Sequence, residues 1–557
     1  MRPHVDRLNA PHGEGGLTMA EYVTIGEALP AQVDGLDVLG AVCNNMVVSL
    51  AMPYFADPEV RPLTRADDYG FEIYRSSLVF LLAKCAEELA HGSEFRVRQS
   101  ISQALYCTWT PPARGSSSAK ATGDIARLSA ALKDLVRADV PITAQPVPYK
   151  NAVEALGKLG RVDELNLLRH RNPPAVLLSC CGDFRALNQT PLAPRTGVLD
   201  LWELIPADGG FILNVPPPET PRKLRRVPAT APFFKIFRHQ AEHRRMTGVE
   251  TLGDLNQAIL EKRFDVFVRT VEAMQTKDLA QIADKIAARG EVRLVLLAGP
   301  SSAGKTTTAH RLCTQLRVVG LRPLLLSTDD YFVGDARNPR DAEGNLDYET
   351  VKAVDDVRLA ADLGELFAGK PVHLRKFDFL KHDGYDAKET TRLPSDGVVV
   401  LEGIHALNPS LTAALPDNVK FRVYLNALTQ LVVDSCNRIS TTDTRLLRRL
   451  VRDFHFRGMS PIDTFRLWPN VVAGERKWIY PYQAKADAVF NSALDYELAV
   501  LKPYANELLN QVKPWDAAFA EARRLSGILH NVSPAPADCV PGDSILRETI
   551  GGSQLTY

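Results

Sequence analysis

Net charge is absent from this chain: Lys plus Arg and Asp plus Glu each total 66. A general polyanion binder usually has a cationic surplus, so the balance argues against that class, though not against a local basic patch. Long apolar runs are missing too. None approaches the roughly 18 residues of a membrane-spanning helix, so no membrane partner is expected. The eight cysteines are scattered, with no C-x-x-C pair. They read as free thiols in a reducing compartment, which points to the cytoplasm. The first 18 residues are polar and lack the apolar core of a signal peptide. Residues 1–20 are expected to be a disordered leader, with Met19 competing with Met1 as the start.

What is present is length, an ordinary hydrophobic content of 45%, and one informative stretch. A chain of this length should hold several domains of roughly 100–200 residues each. Val292–Gly320 reads VRLVLLA, then GPSSAGKT, then TTAHRLCTQLRVVG. The first run suits a buried parallel strand, and the last has helical apolar spacing. Between them lies G-x-x-x-x-G-K-[ST], in the strand–loop–helix setting that a phosphate loop needs. Glycines let backbone N–H groups converge on an anion, and the helix start adds its positive dipole end. Gly299, Ser301, Ser302, Ala303, Gly304, Lys305, Thr306 and Thr307 are the candidate ATP cradle. Lys305 would reach the β- and γ-phosphates, and the Thr306 hydroxyl would ligate Mg²⁺.

An acceptor hydroxyl needs a carboxylate to orient it and take its proton. The strand-like PLLLS (323–327) ends in TDDYF, where open α/β sheets place reacting groups. Asp329 is the candidate base, and Asp330 the runner-up or a Mg²⁺ contact. The apolar VVVLEG (398–403) ends in Glu402, the form of a strand whose terminal carboxylate holds Mg²⁺. In TRLLRRLVRDFHFRG (444–458), Arg445, Arg448, Arg449 and Arg452 share one helical face, with Arg457 just beyond. Such a stripe is either a solvated face or a lid that closes over the phosphates.

In this order the motifs resemble the uridine kinase and phosphoribulokinase family, together with LDYETVKAVD (346–355) and FDFLKH (377–382). The resemblance spans the kinase half and implies a P-loop kinase using ATP and Mg²⁺ on a small-molecule acceptor. It implies that Asp329 is the catalytic base and that Asp347 holds ribose hydroxyls. It further implies that Phe377 and His382 contact the base, that Arg449 is on the substrate side, and that Arg452 and Arg457 are lid arginines near the phosphates. Two positions depart from the family pattern: Phe377 stands where a Tyr is usual, and Met459 where an Arg is usual. A site discriminates by pairing polar groups, so these departures leave uridine or cytidine as acceptor open.

The front half opens with a β-rich module (22–54) and a helix over Ile73–Leu89. A polar loop is expected over 108–124, a helical pair over Ile125–Arg137 and Asn151–Leu159, and a strand over 175–182. A basic, Pro-rich connector (214–228) and a helical bridge (252–288) follow. His239 and His243 read as part of a solvated basic face rather than as metal ligands. Adjacent Cys180 and Cys181 read as two buried small hydrophobes pointing to opposite faces. IYRSSLVFLLAKCAEEL and LLSCCGDFRALNQTPLAPRTGVLDLWEL resemble the second additional domain of threonyl-tRNA synthetases, preceded by a TGS-like module. That family's editing histidines are replaced here by Ser76, Phe80 and Phe184, the last placed after Cys180. The resemblance therefore implies the fold without the hydrolysis, leaving a binding or regulatory module.

The expected fold class is α/β, a P-loop parallel-sheet kinase domain preceded by an α+β threonyl-tRNA synthetase-like region. The expected boundaries are 21–65 for the TGS-like module, 66–240 for the second-additional-domain-like region, 241–290 for the bridge, 291–515 for the kinase and 516–557 for a C-terminal helix and loose tail. The expected activity is phosphoryl transfer to a sugar hydroxyl, foremost the 5′-hydroxyl of a nucleoside. A pentose phosphate or water as acceptor stays open. So does a nucleotide-switched regulator whose front half binds RNA or protein, and so does homo-oligomerisation.

Overall fold

A computed structural model describes residues 23–54, 59–111, 118–227 (backbone only for 118–123), 244–341, 344, 346–378 and 381–555. The leader and the His239/His243 pair lie outside the described residues. The front half begins with a small antiparallel sheet of β1 (Gly40–Cys43), β2 (Met46–Val48) and β3 (Val60–Leu63). Helix α1 (Asp68–Leu89) is buried almost continuously from Ser77 to Ala86, because that stretch is apolar all round.

After α1 come β4 (Glu94–Ile101), which carries the alternation of a half-buried strand, and β5 (Ala104–Thr110), which is buried from Ala104 to Cys107 and runs into the expected loop. Helix α2 (Ser118–Arg137) takes up residues 118–124 of the segment read as a loop over 108–124. There follow β6 (Thr143–Pro148), α3 (Tyr149–Lys158), α4 (Val162–Leu168), β7 (Ala175–Cys181), β8 (Phe184–Ala186), β9 (Glu203–Ala207) and β10 (Gly210–Asn214). They build a four-stranded sheet, β9-β10-β5-β4, and a three-stranded one, β8-β7-β6. Neighbouring residues on β7 face opposite ways. Cys180 accordingly joins the core shared with the C-terminal half, and Cys181 joins the front core.

Helices α5 (Leu252–Leu260) and α6 (Phe264–Ala288) bridge to the C-terminal half. There β11 (Leu294–Ala298) precedes α7 (Lys305–Val318) and β12 (Arg322–Ser327). Next come α8 (Asp356–Phe367), the hairpin β13 (Arg375–Asp378) and β14 (Asp383–Asp386), β15 (Gly397–Glu402) and β16 (Lys420–Asn426). Helices α9 (Thr441–Arg457) and α10 (Pro461–Trp478) lead to β17 (Ala488–Asn491) and α11 (Glu497–Leu509). The five strands pair in parallel in the order β12-β15-β11-β16-β17. Every residue of β11 and β15 is buried. Covering on both faces is what permits near-continuous apolar strands in a parallel sheet. Among the described residues, no helix is long and apolar enough to cross a membrane.

The expectation of a loose tail needs correction. After α12 (Phe519–His530), the residues Val532, Ala535, Val540, Ile545 and Leu546 are buried in the main core, and α13 (Arg547–Ile550) follows. Pro, Gly and Ser suppress regular structure there, but spaced apolar side chains still supply burial. Ile545→Ala should cost about 2–5 kcal/mol of stability, read as a lower urea midpoint. A midpoint shift worth under about 0.5 kcal/mol, the scale of a surface change, would return this segment to a loose tail.

Candidate functional site

The phosphate loop leaves β11, the central strand, at its carboxyl end. A side chain at Gly299 would put its Cβ 2.2 Å from the Leu425 carbonyl oxygen, so only glycine lets the loop pass β16 this closely. Gly304 caps α7 in the left-handed region, at φ 85°. Ala303 is fully buried, and the Ser302 hydroxyl is buried with no hydrogen-bond partner among the described residues. Lys305 Nζ donates to the Pro300 carbonyl at 3.2 Å, folded back along its own loop. The Ser301 N–H donates to Glu475 at 3.2 Å, while Arg449 donates to the Ser301 hydroxyl at 2.9 Å. Thr307 donates to Glu548, on α13, at 3.0 Å.

Register sets the carboxylates beside this loop. Ser327 and Glu402 are partners at the carboxyl edge of β12 and β15, and Leu297 stands opposite Glu402 on β11. Glu402 accepts from Ser327 Oγ at 2.8 Å and from Thr306 Oγ1 at 3.3 Å. Two hydroxyls around one carboxylate suit a hard divalent cation, which takes oxygen ligands. Burial pushes the Glu402 carboxyl up to about 7, and the neighbouring Asp329 charge adds to the shift. Asp329, at the turn after β12, is also raised by burial, while Lys305 and Arg457 pull it back down. Lys305, Thr306, Asp329 and Glu402 therefore meet at one edge. Asp330 does not join them: Lys376 of β13 pairs with it at 2.7 Å.

The arginine helix divides its stripe in a way that its spacing does not reveal. Arg445 donates both terminal nitrogens to Glu475, with both side chains 1% exposed. Arg448 pairs with buried Glu497 and donates to the Ser492 carbonyl. These two are internal ion pairs, not a solvated or lid face. Arg449, Arg452 and Arg457 all reach Asp453, whose carboxylate is fully buried, at 3.1, 2.7 and 3.7 Å. Arg457 is half exposed and faces Asp329 electrostatically.

Of the expected acceptor residues, Phe377 and His382 lie against two aromatic side chains, Phe332 and Tyr348, whereas Arg449 stands at the phosphate loop. Phe332 meets Phe377 at 5.8 Å and Tyr348 at 5.4 Å between centroids. Phe377 is thus buried in that aromatic group. The Tyr348 hydroxyl donates to Asp335 and lies 3.3 Å from His382 Nδ1. Asp347 accepts from the Glu349 N–H at 3.0 Å. Tyr348 was visible inside LDYETVKAVD, but nothing in its spacing marked it. Glu475 and Asp453 had no local signal either, since a buried acid on a helix looks like a surface one until its partner is known. In the front half, Phe80 and Phe184 meet edge to face at 5.2 Å, where the resembled synthetases carry imidazoles.

Residues 294–499 match the model of the Phosphoribulokinase / Uridine kinase family, and with the parallel sheet they form a P-loop kinase domain of that family. A uridine kinase of Lactobacillus helveticus is 26% identical over 221 residues, which covers 39% of this chain and 96% of that protein. A threonine–tRNA ligase of Syntrophotalea carbinolica is 25% identical over 214 residues, covering 38% of this chain and 33% of that protein. Among solved structures, a possible uridine kinase from Bacillus stearothermophilus is similar at 20% identity, with a TM-score of 0.25, over 36% of this chain and 89% of that one. A kinase domain of this type implies ATP and a divalent metal.

Removing one partner of a buried ion pair leaves the other charge uncompensated. Arg448→Met should therefore cost about 3–5 kcal/mol, and adding Glu497→Leu should recover much of it. A double-mutant cycle on urea unfolding measures this. Additive losses would show that the two side chains are not paired.

Proposed function

We propose that this chain transfers the γ-phosphoryl group of ATP, with Mg²⁺, to a sugar hydroxyl, the 5′-hydroxyl of a nucleoside. The observation that carries the proposal is the meeting of Lys305, Thr306, Asp329 and Glu402 at one carboxyl edge of the sheet. In this reading the phosphate-loop amides and Lys305 hold the β- and γ-phosphates. Asp329 accepts the proton from the acceptor hydroxyl as the new O–P bond forms and the bond from Pγ to the β-phosphate oxygen breaks, releasing ADP. Arg457 and Arg452 offset charge on the transferring group, and Arg449 braces the loop through Ser301. Mg²⁺ held by Thr306 and Glu402 would supply Lewis-acid neutralisation of the phosphate oxygens. The similarity to uridine kinases favours a nucleoside, with Asp347 on the ribose and Phe377 and His382 towards the base.

For the front half we propose a binding or regulatory role without editing chemistry. Phe80 and Phe184 offer neither a metal ligand nor a general base where they meet. The similarity to a threonine–tRNA ligase supports this lineage.

The test is product formation from ATP, Mg²⁺ and a panel of nucleosides and pentose phosphates, beside Asp329→Asn. The substitution should lower kcat by about 10²–10⁴-fold, the usual contribution of a general base. Unchanged turnover would remove Asp329 as base. Tight ATP binding with no acceptor turned over would favour the nucleotide switch, and phosphate release without an acceptor would favour water.

The pH dependence follows from the raised carboxyls. Below about 7 the Glu402 carboxyl is protonated and cannot bind a cation, so activity at low Mg²⁺ should rise with pH through neutrality. A bound cation favours the ionised form. Raising Mg²⁺ should therefore move this acid limb to lower pH, and a limb indifferent to Mg²⁺ would detach Glu402 from the metal.

A further inference from the structure

The two halves meet along a seam that the proposed reaction does not use. Three segments converge there: β4, the residues leading into α5, and the loop between β16 and α9. Backbone bonds hold them together. The Val97 N–H donates to the Ser435 carbonyl at 2.9 Å, and the Val432 N–H donates to the Glu250 carbonyl at 3.3 Å. Arg96, Arg98, Arg244, Glu250 and Gln430 help to line a cavity of about 10 Å³ at this seam. That is room for a single water-sized or monatomic occupant.

The charges around the cavity are not all matched within the fold. Arg96 pairs with Asp163 at 3.0 Å and with Glu94, and Arg98 pairs with Glu250 at 3.3 Å. Arg244 is 4% exposed and makes no ion pair among the described residues. Its guanidinium donates to the Gln430 side-chain oxygen at 2.8 Å. Burial disfavours the Arg244 charge, the Arg98 and Arg96 charges add to this, and Asp495 and Glu250 offset only part of it. A guanidinium does not escape by losing its proton, and a buried charge calls for a counter-charge. Gln430 is 6% exposed. With its oxygen turned to Arg244, its amide nitrogen has no hydrogen-bond partner among the described residues. An uncompensated cation and an unmet N–H donor therefore line the same small cavity.

We propose that this cavity binds a monatomic anion, chloride, between the Arg244 guanidinium and the Gln430 amide. A water molecule satisfies the amide but brings no charge to Arg244; chloride does both. The Glu250 carboxylate on the lining is already neutralised by Arg98 and leaves Arg244 to the anion. The bound anion fastens the seam, because its two partners stand on the approach to α5 and on the loop that runs into the arginine helix, beside the front-half strand β4. None of these side chains belongs to the phosphate loop or the acceptor wall, so the inference stands apart from the kinase reading.

The experiment follows the melting temperature of the full chain as sodium chloride replaces sodium gluconate at constant ionic strength. A ligand that binds the folded chain stabilises it by mass action, so the wild type should show a saturable rise. Gln430→Glu places a carboxylate beside Arg244, where the anion would sit. It should melt above the wild type in gluconate and no longer respond to chloride. A wild type indifferent to the exchange overturns the proposal and leaves a water in the cavity. An equal chloride response in Gln430→Glu overturns it too, since the anion then acts elsewhere. So does a Gln430→Glu chain that is unfolded, or less stable than the wild type in gluconate, because the site then has no need of negative charge.

Discussion

Glu402 is the contact on which the site depends. Its carboxylate accepts from the hydroxyl that ends β12 and from the hydroxyl that opens α7, so one side chain ties two strands and the phosphate loop at a single edge. Burying that charge beside Asp329 is unfavourable, and both carboxyls are raised as a result. Raised acids weaken the fold where they are ionised: the cost begins above the unfolded carboxyl pKa and grows until the folded pKa is passed. The surrounding apolar sheet, buried on both faces, is what can bear it.

Around that edge, the remaining order comes from long-range polar contacts inside the fold. Glu475 receives Arg445, the Ser301 N–H and the Tyr480 hydroxyl, so it joins the arginine helix, the phosphate loop and the return segment. Asp453 gathers Arg449, Arg452 and Arg457 at the end of the same helix. Glu548 reaches the Thr307 hydroxyl from the C-terminal segment, while Ile545 packs where a Cβ on Gly304 would stand. The phosphate loop is therefore supported from α9, α10 and α13 at once. Pre-organisation of this kind lowers the cost of ordering a loop when its anion binds.

The front half is fastened to this apparatus rather than strung beside it. Residues of α3, α4 and β7 share one apolar core with α5, α6 and the kinase sheet. The loop between β16 and α9 meets the front sheet directly: the Val97 N–H donates to the Ser435 carbonyl at 2.9 Å, and Arg438 donates to Gln99 at 2.6 Å. Arg161 of the front half lies against Cys436 in the same loop. That loop runs straight into the arginine helix. A change in the front half thus has a short, packed route to the phosphates, although a route alone is not evidence of coupling.

Local pattern made some of this legible without coordinates. The phosphate loop, the acidic turn at Asp329 and the apolar strand ending in Glu402 are readable because backbone geometry and chemistry coincide within a few residues. The neighbouring positions of Cys180 and Cys181 were readable for the same reason, since a strand alternates its faces. The arginine stripe was only half readable. Its spacing put four guanidinium groups on one face, but the acids that claim Arg445 and Arg448 lie 30 and 49 residues further on. The C-terminal segment was misread because its composition speaks to regular structure, whereas its burial depends on surfaces contributed by α7, α9 and α11. Sequence by itself determined the phosphate loop and the carboxylates that end the strand-like runs beside it, because those follow from patterns within single elements. Tertiary structure alone decided which charges are buried in pairs, which remain to meet a ligand, and how the two halves share a core, because each of those depends on distances between elements that no local spacing encodes.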